Sequence, residues 1–171
     1  RYVDRTTPPV TLAINGRPGK LAVEKGYAVI NREWKAGDLL ELSVPMPVRR
    51  VLSHENVRAN VGRVAFERGP IVYCAEAVDN GGWVANLFVP DDAEASAEHR
   101  PDLLGGATVI RVNARAVKRN EAGSVVAEPH RLTLVPYHLW AHREVGEMAV
   151  WLPRTASLAR PATTTMPAEQ N

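Results

Sequence analysis

The feature that most restricts what this chain can fold into is the rhythm of its apolar residues. Short alternating stretches rich in Val, Ile, Leu and Tyr are cut at close intervals by Gly, Asn, Asp and Pro. Apolar side chains at every second position bury one face of a strand, and no long helical period competes with that pattern. An all-β, antiparallel β-sandwich architecture is therefore expected: a partial first sandwich followed by a second, small one.

Val10 to Ile14 reads as a strand that ends on Asn15-Gly16, a dipeptide that tolerates positive φ and favours a tight hairpin. Strands follow around Lys20 to Val23 and over Tyr27 to Trp34, and Lys35-Ala36-Gly37-Asp38 forms the next turn. Leu40, Leu42 and Val44 alternate with Glu41 and Ser43, the pattern of a half-buried strand, which Pro45 and Pro47 terminate. Val48 to Leu52, Gly62 to Glu67 and Ile71 to Glu76 are further strands; in the last, Ile71, Tyr73 and Ala75 share one face and Cys74 lies on the other beside Val72.

Asp79-Asn80-Gly81-Gly82 is the clearest break in composition and is read as a boundary, dividing a partial middle domain (1–80) from a C-terminal domain (81–155). Beyond it, Trp83 to Val89, Ala107 to Val112, Arg131 to Val135 and Glu147 to Leu152 read as strands. The polar, Ala-rich connection Asp91 to Leu104 has a composition that allows a short helix, and Lys118 to Gly123 is a charged loop. Residues 156–171, with a run of three threonines, have too little apolar content to pack and are expected to be disordered.

At 171 residues and 45% hydrophobic, the chain is large enough for one ordinary domain or two small ones. A net charge of +2, with Arg49, Arg50, Arg58, Arg63 and Arg68 interspersed among acidic residues, gives no support to nucleic-acid binding. No apolar run has the length of a membrane span, so no membrane partner is expected and the chain reads as soluble. A start at Arg1 leading directly into strand-like sequence suggests a piece of a longer protein, with bacterial cytoplasm and periplasm both open as its location.

Candidate chemistry is sparse. His138 and His142, four apart and near Glu144 and Glu147, would share a face on a helix, but Pro136 and Gly146 favour a loop and no His-Glu-x-x-His order is present. Glu67 with Glu76, or Glu144 with Glu147, supply carboxyls of the type glycoside hydrolysis uses in facing pairs. The adjacent Arg68 and Arg143 make ordinary ion pairs the simpler reading. Cys74, the one cysteine, sits in an apolar strand where a small thiol packs as core, and one cysteine excludes any site needing several thiolates from this chain. Trp34, Trp83, Trp140 and Trp151, with Tyr27 and Tyr137, are mostly expected in the core; Trp83, Tyr137 and Trp140 are the candidates for a carbohydrate-stacking surface. Neither Asn60 nor Asn86 is a glycosylation acceptor, and no nucleotide-binding Gly-rich loop is present.

Four segments in order resemble the C-terminal part of glycoside hydrolase family 127, the β-L-arabinofuranosidase-like family. They are Ile14-Asn15-Gly16, Gly26 through Asp38, Gly62 through Glu76, and Pro136 through Pro153. Most specific are Arg68-Gly69-Pro70-Ile71-Val72-Tyr73-Cys74-Ala75-Glu76 and Gly146-Glu147-Met148-Ala149-Val150-Trp151-Leu152-Pro153. The resemblance implies a parent with an (α/α)6 catalytic barrel followed by β-sandwich domains, this chain supplying part of the first sandwich and most of the second. It further implies a zinc-bound cysteine nucleophile in the barrel, so zinc is expected only there, with no cofactor and no catalytic residue in this chain. Where the similar motif more usually has an aromatic residue and Asn, this sequence has His138 and His142. Three roles follow: a structural accessory that supports its own barrel or pairs subunits in a homodimer, with Arg68 and Glu147 holding turns; a self-standing carbohydrate-binding module; or an independent hydrolase using Glu67, Glu76, Glu144 or Glu147.

Overall fold

The computed structural model describes residues 9–162. The chain divides into two compact units between Pro47 and Val48.

In the first unit, β1 (Thr11–Ile14), β2 (Arg17–Gly19) and β5 (Leu40–Ser43) form a three-stranded antiparallel sheet in the order β2-β1-β5. Asn15 and Gly16 join β1 to β2 with φ of 51° and 72°, the double positive φ of a type I′ hairpin. A second hairpin pairs β3 (Ala22–Glu24) with β4 (Tyr27–Val29) through Lys25-Gly26, again with both φ positive. That hairpin shortens the strand expected over Tyr27 to Trp34. The turn at Lys35 to Asp38 is present, closed by Asp38 N–H on the Lys35 carbonyl at 3.0 Å. The Asn15 side chain ties the two turns together, donating to Asp38 Oδ1 at 2.8 Å and accepting from Leu39 N–H at 2.8 Å.

The second unit is built on a nine-stranded sheet that curls on itself. Its strands are β6 (Val48–Val51), β7 (Arg63–Arg68), β8 (Ile71–Glu76), β9 (Leu87–Phe88), β10 (Ala95–Arg100), β11 (Ala107–Arg119), β12 (Val125–Pro136), β13 (Met148–Ala149) and β14 (Leu152–Pro153). The path runs β10-β11-β12-β8-β7-β14, with β6 on β7, β9 on β11 and β13 on β8. All these ladders are antiparallel, so the expected all-β class holds.

Strand alternation sorts the core onto the two faces of the sheet. Val64, Phe66, Tyr73, Ala75, Ile110, Val112, Leu132, Leu134 and Leu152 meet inside the curl. On the other face, Cys74 packs with Val109 and Val135, covered by Leu103, Met148 and Val150. The division of β8 expected from its alternation is therefore present, with Val72 the exposed member. Burying each large side chain stabilises by about 1.5–3 kcal/mol, and the one polar group that accompanies Tyr73 inward is satisfied: its hydroxyl donates to the Thr108 carbonyl at 2.9 Å.

Several expectations require correction. The boundary expected at residue 80 falls inside this unit, because β8, before Asp79-Asn80-Gly81-Gly82, pairs with β12, after it. Asn80 is itself buried and continues that pairing: its side-chain amide donates to the carbonyls of Glu76 and Thr133, and its Oδ1 accepts from Thr133 N–H at 2.9 Å. The connection thought to allow a helix contains β10, whose six residues all pair with β11. The strands expected over Ala107 to Val112 and Arg131 to Val135 extend into one long hairpin, from Ala107 to Pro136. Part of the tail expected to be disordered is placed: a 3-10 turn spans Ala156–Leu158, Ala159 packs against Phe88 and Val117, and Ala162 bridges to Lys118. Residues 163–171 of that tail lie outside the described residues.

Candidate functional site

At the end of β12, a 3-10 turn over Tyr137–Leu139 opens the loop that leads to β13. Side chains three apart eclipse in a 3-10 turn, and Tyr137 and Trp140 do so here. Their rings lie 6.1 Å apart between centroids, 19° from parallel, and remain 45% and 43% exposed. Trp83, the third residue of the expected sugar-stacking surface, is half-buried and not part of this stack.

The loop is clamped from below. Arg143 donates to Asp79 Oδ1 at 2.6 Å and to Glu76 Oε2 at 2.8 Å, while Ala141 N–H donates to Glu76 Oε1 at 3.0 Å. Glu76 is nearly inaccessible to solvent, so its charge is balanced by the guanidinium and the backbone donor. The hydrogen bonds from Arg143 to Asp79 and Glu76 hold the arginine pKa well above its ordinary value, against the opposing effect of burial. Ala141 adopts φ 60° to complete the turn. Further along, Glu147 Oε2 accepts from the N–H groups of Val84 and Ala85 at 2.7 and 2.9 Å, and the Glu147 carbonyl accepts from Ala77 N–H at 2.9 Å.

These contacts decide the roles of the candidate carboxylates. Glu76 and Glu147 serve as acceptors that fix loops, and Glu67 pairs with Arg49 across the β6–β7 ladder. The expected local pairings, Glu67 with Arg68 and Glu144 with Arg143, are not the ones formed: Arg143 reaches back to Glu76 and Asp79, and Glu144 is exposed. Glu147 holds a turn as expected, and Arg68 ends β7 opposite Ile71 of β8.

His138 and His142 are both exposed, and among the described residues no three His, Cys, Asp or Glu side chains come together as a metal-binding group. Cys74 is fully buried; desolvation, reinforced by the charges of Glu76 and Asp79, pushes its thiol pKa up to about 12. A thiol so protonated is a poor zinc ligand or nucleophile at neutral pH, so the residues of this chain do not fit a zinc–thiolate centre. The aromatics depart from the expectation that most would be core. Trp34 is 48% exposed with the Arg32 guanidinium 5.0 Å above its ring, Tyr27 is exposed, and Trp83 and Trp151 are half-buried.

The residues overlooked in the sequence are Asp79, Asn80 and Arg143. A run such as Asp-Asn-Gly-Gly marks a turn equally well inside a sheet and between domains, and nothing local to Arg143 announces partners 64 and 67 positions away. No helix among the described residues is long and apolar enough to cross a membrane.

Comparison with known proteins accords with this architecture. Residues 48–153 match the glycoside hydrolase family 127 C-terminal domain, and residues 6–46 match the GH127 middle domain of β-L-arabinofuranosidases. The chain is 40% identical over 157 residues to the non-reducing end β-L-arabinofuranosidase of Bifidobacterium longum, covering 82% of this chain and 23% of that protein. A solved GH127 β-arabinofuranosidase superimposes with a TM-score of 0.83 at 39% identity, over 93% of this chain and 25% of its own. A GH127 β-L-arabinofuranosidase from Geobacillus stearothermophilus superimposes with a TM-score of 0.73 at 40% identity, over 88% and 25%. This chain thus spans about a quarter of the length of the relatives it matches. The border between the two matched domains falls where the structure divides into its two units, and on these matches the chain belongs to glycoside hydrolase family 127.

Proposed function

We propose that this chain is the non-catalytic accessory portion of a bacterial β-L-arabinofuranosidase-like glycoside hydrolase, its two units supporting an (α/α)6 barrel that holds zinc and performs the chemistry. The observation that carries this reading is the sheet of the first unit. Leu12, Ile14, Leu40 and Leu42 share one face by register, yet Leu12 is the one buried apolar residue of that unit among those described, and Leu40 and Leu42 are 42% and 50% exposed. A sheet face of leucines is stable only under a covering layer. Such a layer comes from the rest of a longer protein. The proposal extends to dimerisation, for which Tyr137, Trp140 and the wholly exposed Val145, presented on one clamped loop, are suitable anchors.

The test compares this chain with a longer protein that includes the barrel, in hydrolysis of an aryl β-L-arabinofuranoside with zinc and thiol present. Turnover is expected in the longer protein alone. Turnover by this chain would overturn the reading, because the reading assigns no catalytic residue to it.

A second reading, sugar stacking on Tyr137 and Trp140, is favoured by the parallel, exposed rings and the rigidity that Arg143 gives their loop. In that case Trp140→Ala abolishes retention on arabinan without altering stability; loss of stability with retention unchanged favours the accessory role.

A further inference from the structure

Beside β14 the second unit holds a cleft of about 330 Å³, at the lower end of the range for small-molecule sites. We propose that this cleft binds a neutral sugar unit, at a site separate from the Tyr137–Trp140 stack and from any glycosidic chemistry. Val84 and Leu152, both buried, and Leu158 supply its apolar lining, while Arg63, Glu147, Trp151 and Arg160 bring polar and aromatic groups to it.

The cleft is preformed. Glu147 Oε2 is saturated by the Val84 and Ala85 N–H groups, which orients the carboxylate and leaves Oε1 without a donor among the described residues. Arg160 N–H donates to the Ala85 carbonyl at 2.8 Å, and Arg154 N–H donates to the Gly62 carbonyl at 2.9 Å, tying the chain around the cleft. One Arg63 N–H donates to the Trp151 carbonyl at 3.2 Å. Neither Arg63 nor Arg160 has an ion-pair partner among the described residues, so donors remain for a ligand.

The mixture of charges selects the ligand class. Two guanidinium groups alone would suit an anion, but a carboxylate or phosphate entering here meets the Glu147 carboxylate. A polyhydroxylated neutral ligand uses both signs at once, since each hydroxyl donates to Oε1 or accepts from an arginine N–H. Its apolar C–H face then packs on Trp151 and Leu158. Every lining residue of the cleft lies in the second unit, so its test does not depend on what covers the sheet of the first.

The experiment is an NMR titration of the ¹⁵N-labelled full chain with L-arabinose and a β-linked arabinofuranose disaccharide, with sulfate and galacturonate as parallel titrants. Saturable shifts are expected at the Trp151 indole N–H and the Val84 and Ala85 amides with the neutral sugars. Arg160→Gln, at an exposed position, should leave the spectrum folded and weaken binding at least about tenfold, the worth of one charge-assisted hydrogen bond. Glu147→Gln should weaken it as well. The proposal is overturned if these resonances do not respond, if Arg160→Gln binds as tightly as the wild type, if sulfate or galacturonate alone saturates them, or if shifts occur only at Tyr137 and Trp140.

Discussion

Replacing Arg143 with Met removes the group that joins the loop after β12 to the segment after β8. The arginine side chain is 19% exposed, against 4% for Glu76 and 15% for Asp79, so solvent screens these charges weakly. After the substitution Glu76 retains one donor, the Ala141 N–H, and becomes a buried carboxylate without its cation. Breaking one partner out of a buried pair costs about 3–5 kcal/mol. Asp79 is the better solvated of the two carboxylates and the loop has room to relax, which places the expected loss near the low end, about 3 kcal/mol. At roughly 2–4 °C per kcal/mol for a chain of this size, Tm should fall by about 6–12 °C.

Two controls separate this mechanism from mere loss of packing. Glu76→Gln in the Arg143→Met background removes the orphaned charge and should recover part of the loss, whereas additive effects would mean that the pair is not coupled. Arg143→Lys keeps the charge without the planar fork that reaches both carboxylates, and should fall between Met and wild type. The assay is urea unfolding followed by circular dichroism, with Trp fluorescence reporting the Tyr137–Trp140 loop. An Arg143→Met variant within about 0.5 kcal/mol of wild type, the range of ordinary surface substitutions, would refute the reasoning.

Gly62→Ala should destabilise by more than about 1 kcal/mol, because Gly62 has φ +74° and an added Cβ would lie 2.6 Å from Leu158 Cδ1; unchanged thermal unfolding would show that both strains relax. Cys74 should be unreactive towards a disulfide reagent at pH 8 in the native chain and react at once in denaturant, since folding raises its pKa from 9.0 to about 12. The same shift makes its contribution to stability complete below the unfolded pKa and lost as pH rises towards 12, which alkaline unfolding of Cys74→Ala against wild type measures. Asp38, Asp91, Glu98 and Asp102 are held below their ordinary values by side-chain hydrogen bonds from Asn15, Arg154, Arg111 and Arg100 respectively. The unfolded chain therefore takes up these protons first as pH falls, so their stabilisation is present above the ordinary carboxylate range and lost through the lower folded values. Unfolding midpoints that stay constant from pH 6 to pH 2 would contradict this.

By itself the sequence determined what depends on neighbours along the chain. Alternation specified the β class and the two faces of β8, Asn15-Gly16 specified a tight hairpin turn, and an apolar strand around Cys74 specified a core thiol, because each follows from period-2 geometry, local φ or local composition. The ordered motifs Arg68 to Glu76 and Gly146 to Pro153 were enough to reveal the family. Tertiary structure decided what depends on pairing between distant segments. The turn at Asp79-Gly82 belongs within one unit only because β12 returns to β8, and Ala95–Arg100 is a strand only because β11 offers it an edge. The same holds for the site: Tyr137 and Trp140 stack in the open, Glu147 anchors a turn 62 residues away, and Arg143 passes over its neighbour Glu144 for Glu76 and Asp79. Side-chain charges pair with whatever the fold brings close, and chain order carries no record of that choice.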